Sequence, residues 1–238
     1  MAITIDNTSS KESSVNGTSY SWNHTVTADL TDDILVVITN IMASQTGDQP
    51  FNISATYNDV SMVKALETEH ATTNRNHNGA IFYLINPSTG SNAIALTTTA
   101  NVDACIATGI SLYDVDQSTP MPTTAFDTTK GTTLSVDITT ANANSWVLGI
   151  VSEWGDDNRN YAPLSGVTEI HDMHSNSGTP ASTETQGATG RMTAASIDTY
   201  TFGFSSAGNN AGGQTNAVEL KEAGAAPPAT FIPKLVSF

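Results

Sequence analysis

Residues 81–98 read IFYLINPSTGSNAIALTT. The first five residues are continuously apolar and rich in β-branched and aromatic side chains, which is typical of a buried strand. Asn86-Pro87-Ser88-Thr89-Gly90 contains the residue types that form tight turns. In the second run, Ile94, Leu96 and Thr98 alternate with smaller residues, which predicts a strand with one buried face. The stretch therefore predicts a β-hairpin and an all-β protein, and it contains no reactive group.

Similar patterns recur along the chain. Residues 34–38 form a second continuous apolar run, and residues 134–138 and 200–204 alternate between apolar and polar side chains. Residues 53–57 and 60–62 flank Asn58-Asp59, a turn pair that predicts another hairpin. About a dozen short strands with turns every ten residues or so predict an antiparallel β-sandwich or jelly roll with long loops.

Two segments within the predicted domain are less regular. Residues 155–190 are rich in Gly, Asn, Asp, Ser and Thr, and we expect long loops there with one short strand near 167–170. The segment 59–70 is ambiguous between strand and helix. No internal repeat is visible, so the sequence predicts a single domain over residues 1–222 and an extended C-terminal arm over residues 223–238.

Composition narrows the class of function. The 238 residues carry 8 basic and 23 acidic side chains, a formal charge of −15, which argues against binding to nucleic acid or to anionic lipid. Cys105 is the one cysteine and lies in an apolar strand pattern, which favours a buried thiol. No signal peptide and no membrane-spanning run is visible, so we expect synthesis in a cytoplasm.

The arm has its own chemistry. Residues 223–230 predict a spacer that the Pro227-Pro228 pair makes stiff. Residues 231–238 are strongly apolar, and an exposed segment of this kind promotes association unless another surface covers it. We expect it to dock on a partner by strand addition, although an edge strand of its own domain is the alternative. The anchors would be Phe231, Ile232, Leu235, Val236 and Phe238.

Few residues suggest binding or catalysis. Trp154 and Tyr161 lie near a loop entrance, where exposed rings could stack on a sugar, although core packing of Trp154 is the alternative. Acidic residues at strand ends could hold Ca²⁺, with turn formation as the alternative. A glycosidase could pair Glu153 with Asp156 or Asp116, but no spacing selects these carboxylates.

The histidines give weaker signals still. His171 and His174 suggest a metal site only by their spacing, without an obvious third ligand. The remaining histidines are expected at the surface or in turns, at His24, His70 and His77. We therefore predict no enzyme activity and no cofactor, with Ca²⁺ at the acidic loops as the exception left open.

Four blocks together resemble a β-sandwich module that recurs in bacteriophage virion proteins and in some multidomain bacterial surface proteins. They are residues 53–62, 81–98, 111–120 and 217–221. One departure is Tyr113-Asp114, which stands where the module has a small residue and Gly before Val115. The resemblance covers about residues 20–222 and carries no catalytic residues.

The resemblance implies a structural role in a virion. The leading hypothesis is a capsid decoration or cement protein that forms homo-oligomers and docks on neighbouring capsid subunits. A tail-associated virion protein is a lesser alternative. The alternative from another class is a carbohydrate-binding module or adhesin that uses its strand-end loops, including Trp154 and Tyr161.

Overall fold

A computed structural model describes residues 2–43, 52–72, 75–128, 131–154, 160–175, 184–206 and 213–224. The described residues form β-strands, turns and bends without a helix, so the all-β prediction is confirmed. These residues contain seventeen strands. They are β1 Thr4–Ser13, β2 Gly17–Val26, β3 Ile34–Ala43, β4 Ile53–Tyr57, β5 Val60–Ser61, β6 Val63–Thr72, β7 Arg75–Ile85, β8 Gly90–Val102, β9 Ala104–Tyr113, β10 Thr124–Asp127, β11 Thr133–Thr139, β12 Ser145–Trp154, β13 Tyr161–Pro163, β14 Thr168–His174, β15 Thr185–Ala194, β16 Thr199–Ser206 and β17 Gly213–Leu220.

These strands form four antiparallel sheets. The first inner sheet has the order β1-β9-β3-β7-β6, and the first outer sheet has the order β2-β8-β4-β5. The second inner sheet has the order β10-β17-β12-β15-β14, and the second outer sheet has the order β11-β16-β13. Each outer sheet packs on its inner sheet through a core of buried apolar side chains. The β-sandwich prediction is thus confirmed.

The opening stretch forms both expected strands but not a hairpin. β7 pairs with β3 and β6, whereas β8 pairs with β2 and β4. The turn between them, with positive φ at Asn86 and Gly90, carries the chain from the inner to the outer sheet. The other predicted hairpin is confirmed: β4 pairs with β5, and both Asn58 and Asp59 have positive φ, as a tight hairpin turn requires.

The strand order of the first half is repeated in the second half. In each half the first strand pairs with the last, the second with the next to last, and the third with the third from last. Nested pairing of this kind is the wrapping of a jelly roll. The chain is therefore built from two jelly rolls in tandem, a repeat that the sequence does not reveal.

The two inner sheets face each other. Their central strands β3 and β12 stack, β1 contacts β14 on one side, and β6 contacts β10 on the other. Because β1 corresponds to β10 and β6 to β14, the halves are related like the subunits of a twofold dimer. One core cluster contains apolar side chains of both inner sheets, among them Ile34, Val36 and Ile38 from β3 and Trp146 and Leu148 from β12.

Two glycines hold equivalent positions in this interface. Gly79 pairs with Asn40 of β3, and Gly187 pairs with Ser152 of β12. A Cβ on Gly79 would overlap the side-chain amide of Asn216 in the opposing sheet. One on Gly187 would overlap Val151 O of β12 in its own sheet and would lie 3.1 Å from Ile106 Cδ1 of the opposing sheet. Glycine at both positions lets side chains of the opposing inner sheet approach the backbone closely.

We expect Gly79→Ala to lower the free energy of unfolding by about 1–3 kcal/mol, because the added methyl group overpacks the interface. Urea denaturation would measure the change. Gly17→Ala is the matched control, since the atom nearest to its Cβ would lie 4.0 Å away. Equal midpoints for the two variants would contradict the close approach at Gly79.

The less regular segments differ from expectation. The ambiguous segment 59–70 is extended and contributes β5 and most of β6. Within 155–190 the expected short strand is β14, which runs over seven residues, whereas the sequence pattern predicts neither β13 nor the start of β15. β15 lacks apolar alternation because Gly187 and Gly190 make room for neighbouring atoms, including Phe204 Cζ at 2.9 Å from a Cβ on Gly190.

The last described contacts of the chain lie at the predicted domain boundary. Glu222 forms a β-bridge with Val115, and Ala223 N donates a hydrogen bond of 2.9 Å to Asp114 O. Residues 225–238 lie outside the described residues, so the extended arm and its five anchors stay predictions.

Candidate functional site

A buried polar network joins the two inner sheets near one end of their interface. Thr185 Oγ1 donates to Asn40 Oδ1 at 3.3 Å, and Asn40 Nδ2 donates to Gln214 Oε1 at 3.3 Å. Gln214 Nε2 in turn donates to Thr68 Oγ1, which donates to Asn216 Oδ1 at 2.9 Å. All five side chains are buried. The hydrogen bonds of the network are made within the protein, as is usual for buried polar groups, and Asn216 takes part through Oδ1, whereas its buried Nδ2 has no hydrogen-bond partner among the described residues.

Trp154 lies at the same end of the interface. Its ring centroid is 5.5 Å from that of His70 and 5.1 Å from that of His77, and it forms a small apolar cluster with Met42 and Ala104. Only 7% of the residue is exposed. Of the two alternatives for Trp154, the structure therefore supports core packing.

Tyr161 lies in the core of the second jelly roll and is 4% exposed. Its hydroxyl donates a 2.7 Å hydrogen bond to Glu153 Oε1, which Gln186 Nε2 also approaches at 3.5 Å. Sugar stacking needs an open ring face. Trp154 and Tyr161 do not present one, so the structure does not bring them together as an exposed glycan platform.

The carboxylates considered for catalysis do not form a pair across a cleft. Glu153 is buried against Tyr161, and Asp156 lies outside the described residues. Asp116 accepts hydrogen bonds from Ser118 and Thr119 and pairs with Lys221 at 2.9 Å. These bonds, those from Ser118 first, hold the pKa of Asp116 well below its usual range. Asp116 is thus an ionised turn-forming group rather than a proton donor.

Acidic residues at the strand ends form turns. Asp29, Asp32 and Asp114 have positive φ, which Asp tolerates better than most residues. Asp114 N donates to Thr31 O, and Val115 N donates to Asp32 O, both at 3.1 Å. The described residues include no group of three or more His, Cys, Asp or Glu side chains that could hold a metal ion. At Asp29, Asp32 and Asp114 the structure shows the turns of the second alternative, and calcium binding stays a prediction.

Among the described residues, no further side chain completes a metal site with His171 and His174. His174 Nε2 lies 3.7 Å from Glu184 Oε2 in an ion-pair geometry. Burial lowers the pKa of His171. The pair thus belongs to a strand edge, with His174 beside a buried carboxylate.

The surface or turn positions expected for the other histidines are wrong for His24 and His77, which are both 1% exposed. His24 Nδ1 lies 2.8 Å from Ser9 Oγ, which also accepts a hydrogen bond from Trp22 Nε1 at 3.0 Å. Burial lowers the pKa of His24 to about 4, so the ring is neutral at pH 7. Although Ser–His contact is the arrangement of an activated nucleophile, this ring is enclosed between two sheets. We assign the pair to packing.

An open apolar surface lies at one edge of the first inner sheet. Val63 of β6 pairs with Tyr83 of β7, and Ile85 follows two residues later on the same face. Val63 is 51% exposed and Ile85 is 37% exposed, whereas Tyr83 is partly buried against the interface core. We call Val63, Tyr83 and Ile85 the edge strip. It places two exposed apolar side chains on neighbouring strands of one sheet face, where an apolar partner could pack.

Comparisons with protein-family models, with curated proteins and with solved structures found no match to this chain. Among the described residues, no helix is long and apolar enough to cross a membrane.

Proposed function

We propose that the protein is a non-enzymatic structural component of a bacteriophage virion, specifically a capsid decoration or cement protein. The observation that carries the proposal is the apolar segment 231–238. It follows a folded body that consists of two packed jelly rolls. Jelly rolls occur in viral capsid domains, which is an analogy of fold and not of site.

The body suits a structural role. Its polar network and its buried Tyr161–Glu153 pair are engaged within the protein, so these groups support rigidity rather than ligand exchange. The charge of −15 keeps copies apart in solution, so that assembly depends on specific contacts. Anchors at Phe231, Ile232, Leu235, Val236 and Phe238 would supply such contacts on a neighbouring capsid subunit.

Deletion of residues 224–238 is expected to reduce binding to the assembled particle by at least about 100-fold. Burial of two apolar side chains contributes about 3 kcal/mol or more, and each 1.4 kcal/mol is a factor of ten. Co-sedimentation with particles that lack the protein would measure binding, and separate head and tail particles would distinguish a capsid from a tail location.

The control is Ile197→Asp, which alters an exposed apolar residue between β15 and β16 and leaves the arm intact. We expect that variant to bind as the wild type does. Undiminished sedimentation of the deletion variant, with an unchanged melting temperature, would overturn the docking role.

A further inference from the structure

The described part of the chain ends at Gly224, near the turn that follows the edge strip. Gly224 lines a cavity of about 250 Å³ together with Asp32, Asp116 and Gln117. Gln117 Nε2 donates to Asp33 O at 3.3 Å, and the same oxygen accepts from Asn86 N at 3.1 Å. Asn86 directly follows Ile85 of the edge strip. The arm therefore departs close to Ile85.

The spacer is long enough to bring the apolar segment onto the strip. Six residues, 225–230, separate Gly224 from Phe231. Because an extended chain spans at most about 3.3–3.6 Å per residue, this spacer reaches about 20 Å. Glu222 bridges Val115 just after the end of β9, and β7 and β6 lie two and three strands from β9 in the same sheet. At about 4.8 Å per strand, Ile85 and Val63 are about 10 and 14 Å across the sheet from this point, within the reach of the spacer.

The two surfaces are also complementary in chemistry. The strip presents exposed Val63 and Ile85, and acidic Asp32 and Asp33 lie near the point where the arm departs, beside Asp116, which already pairs with Lys221. The segment 231–238 has five apolar anchors, and Lys234 is its one charged side chain. Apolar side chains would cover the strip while Lys234 faces the acidic turns.

We propose that, before assembly, residues 231–238 bind the edge strip of their own chain and are released from it when the chain docks on the particle. The inference rests on the proposed function for the release step only. A short tether gives the segment a millimolar effective concentration at its own strip. A second copy must instead overcome the repulsion between chains of charge −15.

Thiol cross-linking of the full-length free protein tests this contact. The variant Val63→Cys with Leu235→Cys is treated with a short bismaleimide and analysed by mass spectrometry and size-exclusion chromatography. The native Cys105 does not compete, because it is fully buried and burial raises the pKa of its thiol to about 12. We expect cross-linking within the monomer in most molecules.

The control pairs Leu235→Cys with Val15→Cys, which is exposed in the turn between β1 and β2, at the opposite end of the strands from Ile85. We expect at least about ten-fold less cross-linking within this monomer. Equal yields in the two variants, no cross-link, or cross-links between chains only would each overturn the proposal.

A second measurement does not depend on cysteines. Val63→Asp is expected to speed proteolysis of residues 225–238 at least about five-fold relative to Val15→Asp, and equal rates would contradict the contact. Both tests use the free chain. Their failure would leave particle binding by the arm intact, whereas failure of the sedimentation test would leave the contact within the chain intact.

Discussion

Replacement of Glu219 by alanine is expected to lower the free energy of unfolding by about 3–5 kcal/mol. The Glu219 carboxylate is fully buried and accepts hydrogen bonds from Ala141 N at 2.7 Å and from Asn142 N at 2.9 Å. Asn142 Nδ2 and Thr123 Oγ1 donate two more, at 3.2 and 2.9 Å. Alanine would leave these donors unpaired, at about 1–3 kcal/mol for each group that water cannot reach.

The loss should be measured by urea denaturation and by the melting temperature, which we expect to fall by about 10 °C. Glu219→Gln retains the shape but turns one acceptor into a donor, so it should lie between the wild type and alanine. Glu12→Gln, at an exposed position on β1, is the control and should change stability by less than about 0.5 kcal/mol. A melting temperature of Glu219→Ala within about 2 °C of the wild type would contradict the stabilising role of the buried Glu219 carboxylate.

The sequence predicts strands more reliably than their partners. β7 is apolar on both faces because it lies between an outer sheet and the opposing inner sheet, whereas β8 alternates because one of its faces is exposed. This difference indicates that the two strands occupy different layers, yet a turn between adjacent strands is more commonly a hairpin. β7 pairs with β3 and β8 pairs with β2. Both partner strands lie outside residues 81–98, so the pattern of that stretch cannot predict the pairing.

The repeat is hidden because equivalent positions carry different residues. Ile34 and Trp146 pair with Leu112 and Leu220 in their respective sheets, and so hold the same place in the two halves. Packing needs only apolar volume at such positions, which many residues supply. Gly79 and Gly187 are the exception, since both permit close approach. A repeat limited to strand order cannot be found by comparison of residues.

The polar network could not be predicted for a different reason. Asn40, Thr185 and Gln214 are polar residues in strands, a pattern that normally indicates a solvent-exposed face. They are buried because each finds partners on the opposing inner sheet. Those partners are far apart in sequence, so only the assembled interface shows that the groups are satisfied.

Replacement of Trp154 by alanine is expected to lower the free energy of unfolding by about 3–5 kcal/mol, as removal of a large buried aromatic ring generally does. The ring contacts His70 and His77 of the first jelly roll although it belongs to the second, so its loss would weaken the interface between them. The centroids of the tryptophan and histidine rings lie 5.1 and 5.5 Å apart, which is contact distance for aromatic rings.

Urea denaturation of the variant, with Phe126→Ala as a control, would measure the effect. Phe126 is an aromatic residue that is 56% exposed on β10, and its truncation should cost less than about 1 kcal/mol. The same two variants should be tested on a glycan array. If Trp154→Ala kept its full stability but lost binding to a glycan that the wild type recognises, the ring would be a sugar contact and the packing role would be wrong. An equal loss of stability at the two positions would also contradict it, because the predicted difference arises from burial alone.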